Sequence, residues 1–254
     1  LLRQHEVTKE QPLLDADGRI REPGWARRQV WQYDRNQIHS PKFRIKERDR
    51  YLVMNEDFGA AFTLSDNGYF GLQSVSLLNF KEKWEHTEQI LTPVPMGRMH
   101  MPASSGWGDV IYKDKKLRLE YRVDAGRRQI SCDMKDFWKG KPFCCEVTLE
   151  QPEMDTIVTA APWKGKRTFC YHQKINCMPA EGYMSFGDVT YWLDPAKDYG
   201  TLDWGRGVWP YAGTWYWSSG NGTVGGKPFG FNIGCGFGNT SAATENILFY
   251  DGVG

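Results

Sequence analysis

The chain has 254 residues, in which 32 Lys and Arg nearly cancel 31 Asp and Glu, so no overall charge favours nucleic acid or an anionic membrane. The 14% aromatic content excludes a disordered or coiled-coil chain, and no apolar run approaches the ~20 residues that span a bilayer as a helix. This length accommodates one large β-domain or two smaller ones.

The opening Leu1-Leu2-Arg3-Gln4-His5-Glu6 is neither an initiator Met nor a signal-peptide pattern, so the true N-terminus is expected to lie upstream. Residues 1–42 read as an irregular arm. Pro12, Asp15-Ala-Asp17-Gly18, Pro23-Gly24 and Ser40-Pro41 are turn signals, Trp25 and Trp31 are anchors, and Arg27-Arg28 is a solvated pair.

From Phe43 the apolar period becomes two, and residues 43–168 read as a first β unit. Phe43 and Ile45 alternate with Arg44 and Lys46, and Tyr51-Leu52-Val53 follows. Phe58–Ser65 and Tyr69–Phe80 form a predicted hairpin about Asp66-Asn67-Gly68, and Gln89–Val94 reads as an edge strand. Leu117–Val123, Gln129–Met134, Phe143–Leu149 and Thr156–Ala160 are further strands. No segment shows the i, i+3, i+4, i+7 repeat of an amphipathic helix. The fold class is therefore all-β, antiparallel, as a barrel or a sandwich.

Residues 169–254 read as the start of a second β unit. Thr168–Lys174, Tyr183–Phe186 and Val189–Leu193 are strands leading to a tryptophan-rich stretch, and Thr214–Ser219 and Lys227–Ile233 flank Asn221-Gly222 as a hairpin turn. The sequence closes on a strand and turn, Ile247–Gly254, after which further strands are expected.

Six cysteines include no Cys-x-x-Cys pair, and the adjacent Cys144 and Cys145 must point to opposite faces of a strand. They read as reduced, buried residues of a cytoplasmic protein. Two sequons, Asn221-Gly-Thr and Asn239-Thr-Ser, argue against that location. Cys170-x-His172 with Cys177 lacks a fourth ligand, so no metal is expected, and His86 and His100 read as isolated surface or loop residues. No cofactor is expected either, because Gly234-Cys-Gly236-Phe-Gly238 lacks the spacing and following helix of a nucleotide site. It reads instead as a bulge or pocket rim. The basic run Lys164-Gly-Lys166-Arg167 reads as a solvated turn.

The densest chemistry lies in Leu202–Tyr211 with Trp215-Tyr216-Trp217, where aromatics surround Asp203 and Arg206. Such a segment is either a polar-centred core crossing or the floor of a pocket. The motif Asp203-Trp-Gly-Arg-Gly-Val-Trp-Pro-Tyr211, with Trp215-x-Trp217 and Thr244-Glu245-Asn246 after it, closely resembles the domain of unknown function 2804 family. Leu14-Asp-Ala-Asp-Gly18, Gly24-Trp25-Ala-Arg27 and Lys174-Ile-Asn-Cys-Met-Pro-Ala180 carry the same resemblance. More distantly the chain is similar to lipocalin-like proteins that include carotenoid hydratases, tocopherol-cyclase-type proteins and a fungal survival factor. That likeness implies a double, calycin-type β-barrel handling apolar, lipid or isoprenoid molecules.

Three functions stay open. In the first, Trp204, Arg206, Trp209, Tyr211, Trp215, Trp217, Asn246 and Tyr171 line a site for a small apolar ligand. In the second, Asp203 or Glu245 is a protonated general acid of a lipid or isoprenoid hydratase or isomerase, its pKa raised by burial, with Asn246 or Tyr171 placing a water. In the third, the charged residues pair with each other in a solid core, Asp203 with Arg206, and the chain is a scaffold for protein partners. No nucleic-acid partner is expected.

Overall fold

The computed structural model describes residues 4–254; the opening Leu1–Arg3 lies outside the described residues. Among them there is no α-helix, only strands and two single 3-10 turns. Three short strands sit in the N-terminal arm: β1 (Gln11–Pro12), β2 (Gly24–Ala26) and β3 (Trp31–Gln32). A meander follows of β4 (Lys46–Met54), β5 (Phe58–Asp66), β6 (Phe70–Asn79) and β7 (Trp84–Pro93). A second meander comprises β8 (Val110–Lys113), β9 (Leu117–Asp124), β10 (Arg127–Trp138) and β11 (Lys141–Glu150). Then come β12 (Ile157–Pro162), β13 (Phe169–Phe186), β14 (Val189–Leu193), β15 (Tyr199–Val208), β16 (Tyr216–Val224), β17 (Lys227–Cys235) and β18 (Ile247–Tyr250).

The period-two pattern explains these strands. In β10, Ile130, Cys132 and Met134 are buried while Gln129, Asp133 and Lys135 are exposed, as a sheet with one covered face requires. The main sheet runs β7-β6-β5-β4-β15-β13-β11-β10-β9-β8, with β12, β14 and β2 attached through β13 and β12. It is antiparallel throughout and curls into a half-barrel, a lipocalin-like β fold. The edge strand β7 approaches β10 across a seam, where Trp84 packs on Trp138 and the His86 ring stacks on Trp138. His86 is thus half-buried and bonded to the Phe137 carbonyl at 3.0 Å, not an isolated surface residue. Arg27 likewise pairs with Asp155 and Glu6.

The half-barrel interior is filled by side chains such as Phe62, Leu64, Leu77, Leu119, Ile130 and Phe143, so it is a packed core. The organising strand is β13. Its first half lies between β12 and β15 and its second half pairs with β11 and β14, so two segments read separately in the sequence are one 18-residue strand. A bulge at Asn176-Cys177, with Cys177 at φ 57°, separates the halves. It turns the Asn176 amide outward to Ser219 Oγ and Asn221 Oδ1.

Those partners belong to a separate three-stranded sheet, β16-β17-β18. Its first hairpin turns at Gly225-Gly226, both with positive φ, as a tight two-residue turn requires. Asn221-Gly222 lies inside β16 instead. Asn221 holds this sheet to the main one, accepting from the Cys177 N–H at 2.9 Å and donating to Thr201 Oγ1 at 2.8 Å. Bridging side-chain bonds won over local turn preference here. All ten residues of β15 are buried: one face meets the half-barrel interior and the other meets the loop that follows β17.

Candidate functional site

Alternation along β15 sorts the candidate residues onto two faces. Leu202, Trp204 and Arg206 point inward, and Asp203 and Gly205 point outward. Asp203 and Arg206 therefore do not pair with each other, since an odd spacing places them on opposite faces.

The inward face is a polar core built around Arg206. Arg206 is fully buried; it donates to Asp49 Oδ1 and to the Pro102 carbonyl, both at 2.7 Å, and lies 4.1 Å over the Trp204 ring. Trp204 packs edge-on against Tyr33 and Tyr171. Tyr171 donates its hydroxyl to the Trp31 carbonyl at 2.9 Å. Beside them Glu47 accepts from Tyr33 and from Arg35. Burial pushes the Asp49 and Glu47 carboxyls above their ordinary values, against the pull of Arg206. Trp204, Arg206 and Tyr171 are thus brought together, away from Asp203.

The outward face carries a charged chain. Asp203 lies between β13 and β4, opposite Lys174 on one side and Arg50 on the other. Its carboxylate accepts from Lys174 and, at 2.8 Å, from Arg48. Burial alone would raise the Asp203 carboxyl, but Arg48, Lys174 and Arg50 outweigh it and hold it far below the usual range. Glu245 is also buried and also held low, burial being outweighed by Lys174 at 3.8 Å and by His172. Both carboxyls are therefore ionised. The expectation of a burial-raised, proton-donating acid fails because cations on neighbouring strands face each carboxylate.

His172 ends this chain. Its Nδ1 lies 2.7 Å from Glu245 Oε1, and burial lowers its pKa against the opposing pull of Glu245. The imidazole is neutral, and because an ionised carboxylate only accepts, the proton sits on Nδ1. Nε2 is then a bare lone pair, and it has no partner. Glu245 is fixed in turn by β17, whose Asn232 donates to the Glu245 carbonyl at 2.7 Å and accepts from Trp217. Asn246 accepts from the Gly234 N–H, so it is an anchor of this segment.

His172 lines a cavity of about 80 Å³, together with Arg48, Trp163, Trp209, Tyr211, Trp215 and Phe237, among others. Trp209 and Phe237 both stand edge-to-face with the imidazole at 5.7 Å. The Trp209 indole N–H is likewise buried without a partner. Gly205 makes this possible, since a Cβ there would lie 3.2 Å from His172 Cδ2 and 3.4 Å from Trp209 Cζ2. Trp217 is not a wall of the cavity; its ring lies 5.5 Å from Lys174 Nζ and its indole N–H donates to Asn232. Of the expected lining residues, Trp209, Tyr211 and Trp215 reach this cavity and Trp217 does not.

Lys174, Arg48, Trp163 and Phe237 are additions that sequence reasoning missed, and His172 was weighed there only as a metal ligand. The usable signal was the shared face of Cys170, His172 and Lys174, which strand alternation places opposite Asp203. Cys170 instead turns to the Ala161 carbonyl, and no cluster of three or more His, Cys, Asp or Glu suited to a metal occurs among the described residues.

No curated protein matches the chain at a significant level. The family model described as a domain of unknown function, DUF2804, matches residues 4–253, and the chain belongs to that family.

Proposed function

We propose that the protein binds a small apolar, lipid- or isoprenoid-like molecule by its hydroxyl-bearing end. The observation that carries this reading is the unpartnered His172 Nε2 set in an aromatic cavity. A buried acceptor without a partner costs about 1–3 kcal/mol, a cost that a donor on the ligand removes. A hydroxyl also accepts, which suits the free Trp209 N–H. About 80 Å³ is small against the ~300–1,000 Å³ of sites that engulf a whole ligand. The cavity therefore takes the end of a molecule whose remainder lies across Tyr211 and Trp215. The distant resemblance to lipocalin-like hydratases and cyclases points to the same ligand class. Ionised Asp203 and Glu245 do not support the general-acid version of such chemistry.

The test compares 3-methylbut-2-en-1-ol with 2-methylbut-2-ene by titration calorimetry. The alcohol is expected to bind about tenfold more tightly, the value of one added hydrogen bond, and His172→Phe is expected to erase that preference. His172 is held below its ordinary 6.5, so the preference for the alcohol is expected to stay flat above that value. Equal affinities for the two probes, or binding of neither, contradict the proposal and favour the scaffold reading.

A further inference from the structure

The strands that carry the site all terminate at one end of the half-barrel. Register places Lys46 beside Gly207, Pro162 beside Phe169, and Phe70 beside Pro93. Five connections meet there: residues 41–45, 67–69, 94–99, 163–168 and 209–215. They contain Lys42, Arg44, Arg98, Lys164, Lys166 and Arg167, and not one Asp or Glu. A chain with a net charge of +1 has thus gathered six cations around one rim. The carboxylate at the end of β5, Asp66, is buried and accepts the Gly68 and Gly97 N–H groups, and Glu47 is buried against Arg35 and Tyr33. Arg167 turns back to the Asp17 carbonyl.

The same rim exposes large apolar side chains. Tyr211 is 66% and Trp215 53% exposed, and Phe43, Tyr69, Val94 and Met96 also face solvent. Tyr69 and Tyr211 neighbour each other at 6.5 Å, and the Arg44 guanidinium lies 4.1 Å over the Tyr211 ring. Tyr211 and Trp215 are also walls of the His172 cavity. A basic ring with exposed aromatics about an apolar opening matches the bilayer interface, where Trp and Tyr settle at headgroup depth and Lys and Arg meet anionic lipid.

From this juxtaposition we infer that this end of the half-barrel docks on an anionic membrane surface, with the cavity mouth facing the lipid. The role of that contact, loading an apolar ligand from the bilayer, rests on the proposed function; the contact itself does not. Protein mixed with phosphatidylcholine vesicles, with and without about one-third phosphatidylglycerol, is floated on a density gradient. Flotation is expected only with phosphatidylglycerol and weakens as salt is raised. The triple variant Lys42→Ser, Lys164→Ser, Lys166→Ser, confined to exposed positions, is expected to bind about a hundredfold more weakly, each lysine being worth about fivefold. Absence of flotation with either vesicle, or an unchanged triple variant, overturns the inference. Tighter binding to a duplex oligonucleotide than to the anionic vesicles overturns it in favour of nucleic acid. His172→Phe is expected to float like the parent, so loss of the alcohol preference and loss of membrane binding report on separate claims.

Discussion

Asp203→Asn is expected to lower the melting temperature by about 10 °C. The carboxylate is buried among Lys174, Arg48 and Arg50, and the amide leaves those cations facing each other without its charge. Removing one member of a buried ion cluster costs about 3–5 kcal/mol, and a chain of this size loses roughly 2–4 °C per kcal/mol. Because the Asp203 pKa is depressed on folding, its stabilisation is fully present above its ordinary 3.8 and fades as pH falls below that. The difference between parent and variant should therefore be level across neutral pH and shrink only in strong acid. Thermal melts monitored by circular dichroism read this directly. A second variant, Lys174→Met with Asp203→Asn, should recover part of the loss by removing one uncompensated cation. A variant within the error of the parent would mean that this cluster is not what holds β13, β15 and β4 together.

The second large effect belongs to the inward face, with a different dependence on pH. Arg206→Met leaves Asp49 without its guanidinium partner and the Pro102 carbonyl without its donor, again at a cost of about 3–5 kcal/mol. Asp49 is already pushed upward by burial, with Arg206 opposing that rise. Without Arg206 it should rise further and accept a proton. A group whose pKa is raised on folding contributes fully below its unfolded value and loses that contribution as pH climbs through the folded one. Arg206→Met should thus regain stability between neutral pH and about pH 5, where Asp203→Asn shows no gain. Denaturant melts at those two conditions separate the variants. A loss in Arg206→Met that does not depend on pH would remove Asp49 from the explanation.

Much of the fold is legible in the sequence, because a half-buried strand shows its own period. Val189–Leu193 coincides with β14, and the Phe58–Phe80 hairpin appears as β5 and β6. Two features were hidden. The continuity of β13 was masked by Pro179 and Gly182, which both pair in register within the strand. The Asn221-Gly222 turn was misplaced because its amide serves Asn176, Cys177 and Thr201, partners 20 or more residues away.

The site was half legible. The tryptophan-rich stretch marked the place, and Trp209, Tyr211 and Trp215 stand at the cavity. Which charges meet was not readable, since a carboxylate's partners are set by register. Lys174 faces Asp203 across one strand boundary and Arg50 across the other, whereas Arg206, three residues away in sequence, faces the opposite side. His172 drew attention only through its neighbouring cysteines, yet it is Glu245, 73 residues away, that fixes its proton.

The proposed binding mode depends on a bare Nε2 of His172 at the cavity. It is tested most directly by nitrogen NMR of protein labelled at its five histidines, with His172 assigned through its disappearance in His172→Phe. Near neutral pH a neutral ring protonated at Nδ1 is expected, whose unprotonated Nε2 resonance moves when 3-methylbut-2-en-1-ol is added. A ring carrying its proton on Nε2, or on both nitrogens, would contradict it.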